Sequence, residues 1–264
     1  MIVATLRAVA DAWPTGMLAT VALFGLAIGS FLNVVIARVP AGRSLVRPGS
    51  ACPGCSAPLA WYDNIPVLSF FVLRARCRAC GMPISWCYPV VEAVTAAVLV
   101  LAYVALGPTA EFVVAGVLLP MLIVITAIDL QHQLIPDAIT LPGILAGLLL
   151  NVAIGRLSWF EPVIGILLAG GLFLAIILAS RGGMGGGDLK LGAMLGAFLG
   201  WKALLFALFV AVVAGGVLGI ALLVSGLRGR KDPIPFGPFL ATGGAMALFW
   251  GERVVGWYAS GFGG

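Results

Sequence analysis

Eight apolar runs punctuate the chain, at roughly 17–37, 88–106, 112–128, 139–154, 161–180, 189–200, 203–225 and 234–251. Within each run the apolar residues are continuous and do not alternate with polar ones, which selects helices over the strands of a membrane barrel. Most runs approach the ~20 residues that cross a bilayer, where the backbone must satisfy its own hydrogen bonds. The pattern therefore predicts an all-α polytopic membrane protein of about eight transmembrane helices. The fourth and sixth runs are short. The sixth rises only ~18 Å as a helix, so it is expected to begin below the membrane surface. One long polar stretch, 38–87, separates the first run from the rest. This gives three expected parts: a tail and first helix at 1–37, a loop domain at 38–87, and a membrane core at 88–264. No internal repeat is evident.

Composition agrees. The chain is 62% hydrophobic and 9% charged, against ~25% charged residues in soluble domains. Arg7 followed by an apolar stretch resembles a signal peptide, but run 17–37 is longer than such a core and continues into Arg38, so it is read as a span that stays. The net charge is +5, and the basic residues sit in short loops between spans, which argues against nucleic acid as a partner. Cytoplasmic loops are enriched in Lys and Arg. With the 38–87 loop inside and the runs alternating, Arg38, Arg43, Arg47, Arg74, Arg76, Arg78, Arg181, Lys190, Arg228, Arg230 and Lys231 fall on the cytoplasmic side. Only Arg7, Arg156, Lys202 and Arg253 fall outside.

All five cysteines lie in the polar loop or at its exit. Cys52-Pro-Gly-Cys55 and Cys77-Arg-Ala-Cys80 are paired knuckles separated by 21 residues, and four thiolates close a tetrahedron around zinc. Arg74, Arg76 and Arg78 lie nearby to offset the charge of such a site. Two disulfides are the alternative, but they need an oxidising compartment, against the arginine distribution. A closed site of four sulfurs is structural. Cys87 is expected to be a small buried residue.

Asp129 ends the third run and Asp188 opens the sixth. A carboxylate at the edge of the hydrocarbon is expensive and marks function. The alternating topology carries both to the cytoplasmic face. Two neighbouring carboxylates share a proton, and such a pair activates water against a peptide carbonyl. The bland alternative makes Asp188 an N-cap and Asp129 a helix-end residue. Gly185 and Gly187, in a glycine-rich stretch before Asp188, suit the close approach of a substrate strand. Asp137 follows Pro136 and is read mainly as a cap. His132 is the one histidine of the chain and is read as a loop residue. The lack of a partner histidine and of H-E-x-x-H argues against a zinc protease, and the glycine run has no preceding strand for a dinucleotide site.

These segments resemble a known family. Ser30-Phe31-Leu32-Asn33-Val34-Val35-Ile36, the two cysteine pairs, Trp61-Tyr62-Asp63-Asn64-Ile65-Pro66-Val67-Leu68-Ser69, Ile84-Ser85, Tyr88-Pro89-Val90-Val91-Glu92, Gly183-Met184-Gly185-Gly186-Gly187-Asp188-Leu189-Lys190-Leu191 and Ile234-Pro235-Phe236-Gly237-Pro238-Phe239-Leu240 occur in order. Together they are similar to the motifs of bacterial type IV prepilin peptidases, the GxGD-type membrane aspartyl proteases of pilus and type II secretion systems. The resemblance implies catalysis by Asp129 and Asp188, a zinc-binding cytoplasmic loop, and cleavage of a short basic leader from prepilins or pseudopilins at the inner membrane. It also implies methylation of the new N-terminal residue by S-adenosyl-L-methionine. Asp63, Asn64 and Glu92 are candidates for the methyl-donor site. Cys87 stands where the family more often has Arg. A peptidase without methyl transfer and a proton-coupled transporter are the competing readings, the latter leaving the cysteine loop unexplained.

Overall fold

The computed structural model describes residues 12–180, 185–227, 229 and 234–261. It is almost wholly helical. The long helices are α1 (Pro14–Arg38), α3 (Cys87–Leu106), α4 (Ala110–His132), α5 (Asp137–Ile154), α6 (Phe160–Ala179), α7 (Gly186–Val224) and α8 (Gly237–Gly261), with a short α2 (Leu68–Val72) in the loop. Six of them, α1 and α3 to α7, are long and apolar enough to cross a membrane. Many large apolar side chains point outward, among them Leu149, Leu167, Leu178 and Phe209, which suits lipid and not water as the surrounding solvent. The chain divides into two compact units, Met1–Val124 and Ile125–Gly264, with the boundary inside α4.

In the first unit α1 lies along α3. Small residues one turn apart allow this approach: a Cβ at Gly25 would stand 2.6 Å from Ala96 Cα, and one at Gly29 would stand 2.6 Å from Glu92 Cα. The Arg38 guanidinium closes the end of α1 by donating to the carbonyls of Ser44 and Gly49.

In the second unit the organising feature is Gly200. Its φ of 73° and ψ of 169° break α7, a conformation open in practice to glycine alone. The arm 186–199 runs antiparallel to α6, since Gly192 meets Phe173, Gly196 meets Gly165, and Gly200 meets Leu157 and Glu161. The arm 201–224 returns alongside α8, with Ala203 against Gly251, Ala207 against Gly243, and Phe239 against Gly215. The eight apolar runs of the sequence thus correspond to eight rods, with the sixth and seventh joined at a glycine. Asn151, 2% exposed, ties α5 to the break by donating to the carbonyls of Ala197 and Phe198.

This path gives the second unit two distinct ends. Asp129, Asp137, Asp188, Lys190 and Gly237 gather at one. Arg156, Glu161, Lys202 and Glu252 gather at the other, where Lys202 pairs with Glu161 at 3.0 Å and Arg156 lies 3.7 Å from Glu252. Within this unit Lys190 therefore stands at the first end, and Arg156 and Lys202 at the second. Arg7, Arg181, Arg228, Arg230 and Lys231 lie outside the described residues.

Candidate active site and candidate metal centre

Asp129 occupies the last turn of α4 and is 5% exposed. The chain leaves that helix through Gln133, whose φ is +51° and whose N–H reaches back to the Asp129 carbonyl at 2.9 Å. The resulting tight turn drives Ile135 into the interior and starts α5 at Asp137. Asp188 stands in the first turn of α7, half-buried, within electrostatic range of Asp129. Two carboxylates drawn from rods remote in sequence therefore lie at one end of the second unit, near enough to interact through their charges. The Asp129 carboxylate accepts a hydrogen bond at 3.0 Å from the backbone N–H of Gly237, the first residue of α8.

The capping alternative for Asp188 is not what the backbone does. Gly185 is the N-cap, extended at φ −78° and ψ 146°. Asp137 is likewise not a cap: Pro136 takes that position, and the Asp137 carboxylate is bound by Lys190 at 2.6 Å. Gly185 is exposed, with no atom pressing on it. Gly187 differs, since a Cβ there would lie 2.8 Å from the Ile135 side chain. Its missing side chain makes room within the protein. Gly182, Gly183 and Met184 lie outside the described residues.

The loop domain folds the two knuckles alike. Cys52 donates its N–H to the Ala57 carbonyl and accepts from Ser56; Cys77 does the same with Met82 and Gly81. Isolated antiparallel bridges flank each, Ala51 with Pro58 and Arg76 with Pro83. Ser56 and Gly81, each four residues after the leading cysteine, both have positive φ, 57° and 73°. This local repetition escapes the sequence because few residues other than cysteine are shared between the two copies.

The four Sγ atoms of Cys52, Cys55, Cys77 and Cys80 lie within 4.8 Å of one another, and Cys52 and Cys80 are 3.8 Å apart. Four sulfurs ~2.3 Å from one zinc ion stand ~3.8 Å apart, so the donor set fits that metal. Backbone N–H groups of Cys55 and Gly54 hold the Cys52 thiol down at about 6. Met82 donates to Cys80, yet Cys80 is pushed up to about 11, first by the crowding of Cys55, then by desolvation and by Cys77 and Cys52. Thiols this close cannot all ionise without a cation between them. Arg78 turns to Asp63 at 2.7 Å, and that hydrogen bond and charge raise the guanidinium further. Cys87 is exposed at the start of α3 and is not the buried residue expected. A surface position at the loop exit leaves no packing reason for a small residue there.

Two of the three methyl-donor candidates, Asp63 and Glu92, are engaged. Both Asp63 oxygens accept from Arg78. Glu92, 7% exposed, accepts the N–H of Val67 at 2.7 Å, where Val67 has a φ of 59°. Asn64 is exposed. A cavity beside them, lined by Tyr62, Asp63, Ser69 and Arg78 among others, holds about 190 Å³, below the ~300–1,000 Å³ usual for ligand sites. These residues do not fit a whole S-adenosyl-L-methionine as they stand.

Two family descriptions cover most of the chain: the bacterial peptidase A24 N-terminal domain over residues 23–106 and the type IV leader peptidase family over residues 116–220. Relatives named prepilin leader peptidase/N-methyltransferase include one from Aeromonas hydrophila, 40% identical over 91% of this chain and 93% of its own. Another, from Myxococcus xanthus, is 45% identical over 83% of this chain and 67% of its own. A third, from Bacillus subtilis, is 37% identical over 92% of this chain and 98% of its own. The chain belongs to the type IV leader peptidase family. No solved structure matches it at a significant level.

Proposed function

We propose that this protein is a membrane aspartyl endopeptidase that cleaves the short basic leader of type IV prepilins or pseudopilins at the cytoplasmic membrane face and N-methylates the new terminus. The observation that carries the peptidase reading is the juxtaposition of Asp129 and Asp188 at one end of the second unit, both withdrawn from water. One carboxylate holds a proton while the other is charged. The charged one takes a proton from water as the water oxygen bonds to the scissile carbonyl carbon. The protonated one gives its proton to the carbonyl oxygen. In the collapse of the resulting diol, the C–N bond breaks, the amine nitrogen receives the proton taken from water, and the second carboxylate recovers its own from a diol hydroxyl.

Methyl transfer rests on the names of the relatives, and no step is derived for it, because Asp63 and Glu92 are held by partners within the chain. Zinc held by Cys52, Cys55, Cys77 and Cys80 would tie the two knuckles together and stabilise a loop too small to fold on its core alone. The cytoplasmic placement of this loop and of the aspartates rests on the distribution of Lys and Arg.

Co-expression with prepilins of the same genome tests the reading. Leader loss is scored by gel shift, and the N-terminal mass reports the methyl group. Asp129→Asn and Asp188→Asn should each abolish cleavage while the protein still inserts; cleavage at wild-type rate by either variant would refute the dyad. Labelled S-adenosyl-L-methionine that leaves no label on the cleaved product would restrict the protein to proteolysis.

A further inference from the structure

We propose that Gly237 is a positioning residue for the peptidase reaction, fixing the Asp129 carboxylate through its backbone N–H and its empty β position. The inference rests on the dyad reading above. A helix leaves its first N–H groups without internal partners. In α8 the second residue is Pro238, which has no N–H to offer, and the N–H groups of Phe239 and Leu240 both return to the Phe236 carbonyl. The N–H of Gly237 is the donor left over. It is taken by Asp129 Oδ2, 108 residues away in sequence, at 3.0 Å in a buried setting.

The same position is sterically sealed. A Cβ on residue 237 would lie 2.5 Å from Asp129 Oδ2, 3.1 Å from its Cγ and 3.3 Å from Ile135. Glycine is therefore required by the carboxylate itself, since no positive φ is involved. Phe236, with its ring 6.4 Å from those of Phe173 and Phe239, anchors the start of α8 against the neighbouring rods. The arrangement pins one oxygen of Asp129 from within and leaves the other for the attacking water. A carboxylate free to swing about its Cβ–Cγ bond would spend little time in reach of both water and Asp188.

The test compares Gly237→Ala with Gly244→Ala, seven residues further along the same helix. There the three atoms nearest to a Cβ all belong to the flexible Leu195 side chain. Steady-state cleavage of a prepilin peptide by purified protein in nanodiscs, with thermal unfolding of each variant, gives the readouts. Gly237→Ala should lower kcat by roughly 10²-fold with KM within about threefold, the loss expected when a catalytic group is misplaced by ~1 Å. Gly244→Ala should lower the unfolding temperature and leave kcat near wild type. Wild-type kcat in Gly237→Ala, or losses in the two variants that track unfolding temperature alone, would overturn the proposal. Should Gly237→Ala not fold, incorporating glycolic acid at 237 by a suppressor tRNA replaces the N–H with an ester oxygen and adds no bulk. The same fall in kcat is expected, and an unchanged kcat would overturn the proposal. If Asp129→Asn also cleaves normally, it is the dyad reading that fails and not this inference alone.

Discussion

Lys190 Nζ lies 2.6 Å from each carboxylate oxygen of Asp137. Lys190 follows Asp188 by two residues and Asp137 follows Asp129 by eight, so the pair borders the dyad without entering it. The partner already on Asp137 removes it as a rival acid. Both side chains are well exposed, at 36% and 55%, and an exposed pair contributes ~0–1 kcal/mol. Asp137→Asn should therefore keep leader cleavage within about tenfold of wild type and shift stability by no more than ~1 kcal/mol. Cleavage assays and thermal unfolding on the same preparations check this. An Asp137→Asn variant as inactive as Asp129→Asn would remake the assignment of the pair.

Metal analysis addresses the loop. Purified protein should carry about one zinc ion, as a four-sulfur structural site demands. Serine at Cys52, Cys55, Cys77 or Cys80 should remove it, while Cys87→Ser, at an exposed position outside the cluster, should retain it. Acid should release the metal, because binding requires thiolates and protons compete for them. Elemental mass analysis across a pH series reads both effects. Full zinc content in the Cys52→Ser variant would disqualify the cluster.

The rods, the knuckles and the two aspartates were legible because each is written locally, as an unbroken apolar run, a C-x-x-C spacing or a carboxylate at a span edge. What was not legible depends on long-range encounter. Nothing near Asp129 announces that its partner is a backbone N–H in α8, and backbone donors leave no trace in a sequence. Ile135 reads as an ordinary apolar residue, yet it explains why position 187 is glycine. Asp137 looks like a cap because it follows a proline, and only the fold brings Lys190 to it. Gly200 is one glycine among 36, and the break it makes was anticipated only as a gap between two apolar runs.

Glu92 separates an anchoring role from a cofactor role. Its carboxylate takes the N–H of Val67, a residue with positive φ at the start of α2. Glu92→Ala leaves that donor unpaired, at a cost of ~1–3 kcal/mol, whereas Glu92→Gln keeps an acceptor oxygen. The alanine variant should show faster proteolysis of the 38–87 loop, and the glutamine variant should resemble wild type in both loop protection and product methylation. Normal loop protection in Glu92→Ala would remove the anchor, and a Gln variant that folds and cleaves yet fails to methylate would return Glu92 to the methyl-donor site.

The turn at Gly200 governs whether the rod bearing Asp188 is held. At φ 73° and ψ 169° a side chain is strained, and a Cβ would also press on Leu157 at 3.1 Å. Strain of this kind costs of order 1–3 kcal/mol. The neighbouring tie is Asn151, whose amide donates to the Ala197 and Phe198 carbonyls left open by the break, and Arg156 adds a second donor to Phe198 at 3.1 Å. Because α7 reverses there, both arms depend on the same residue: one carries Asp188, and the other supports α8, which begins with the N–H bound to Asp129. Gly200→Ala and Asn151→Ala should each lower the unfolding temperature, the first by an amount equivalent to ~1–3 kcal/mol. Cleavage should fall in parallel because the dyad loosens at a distance. The double variant should cost less than the sum of the two, since both act on one turn and neighbouring sites are not additive. Unfolding curves of the four proteins in one detergent decide it, and full additivity would mean that Asn151 braces something other than the break.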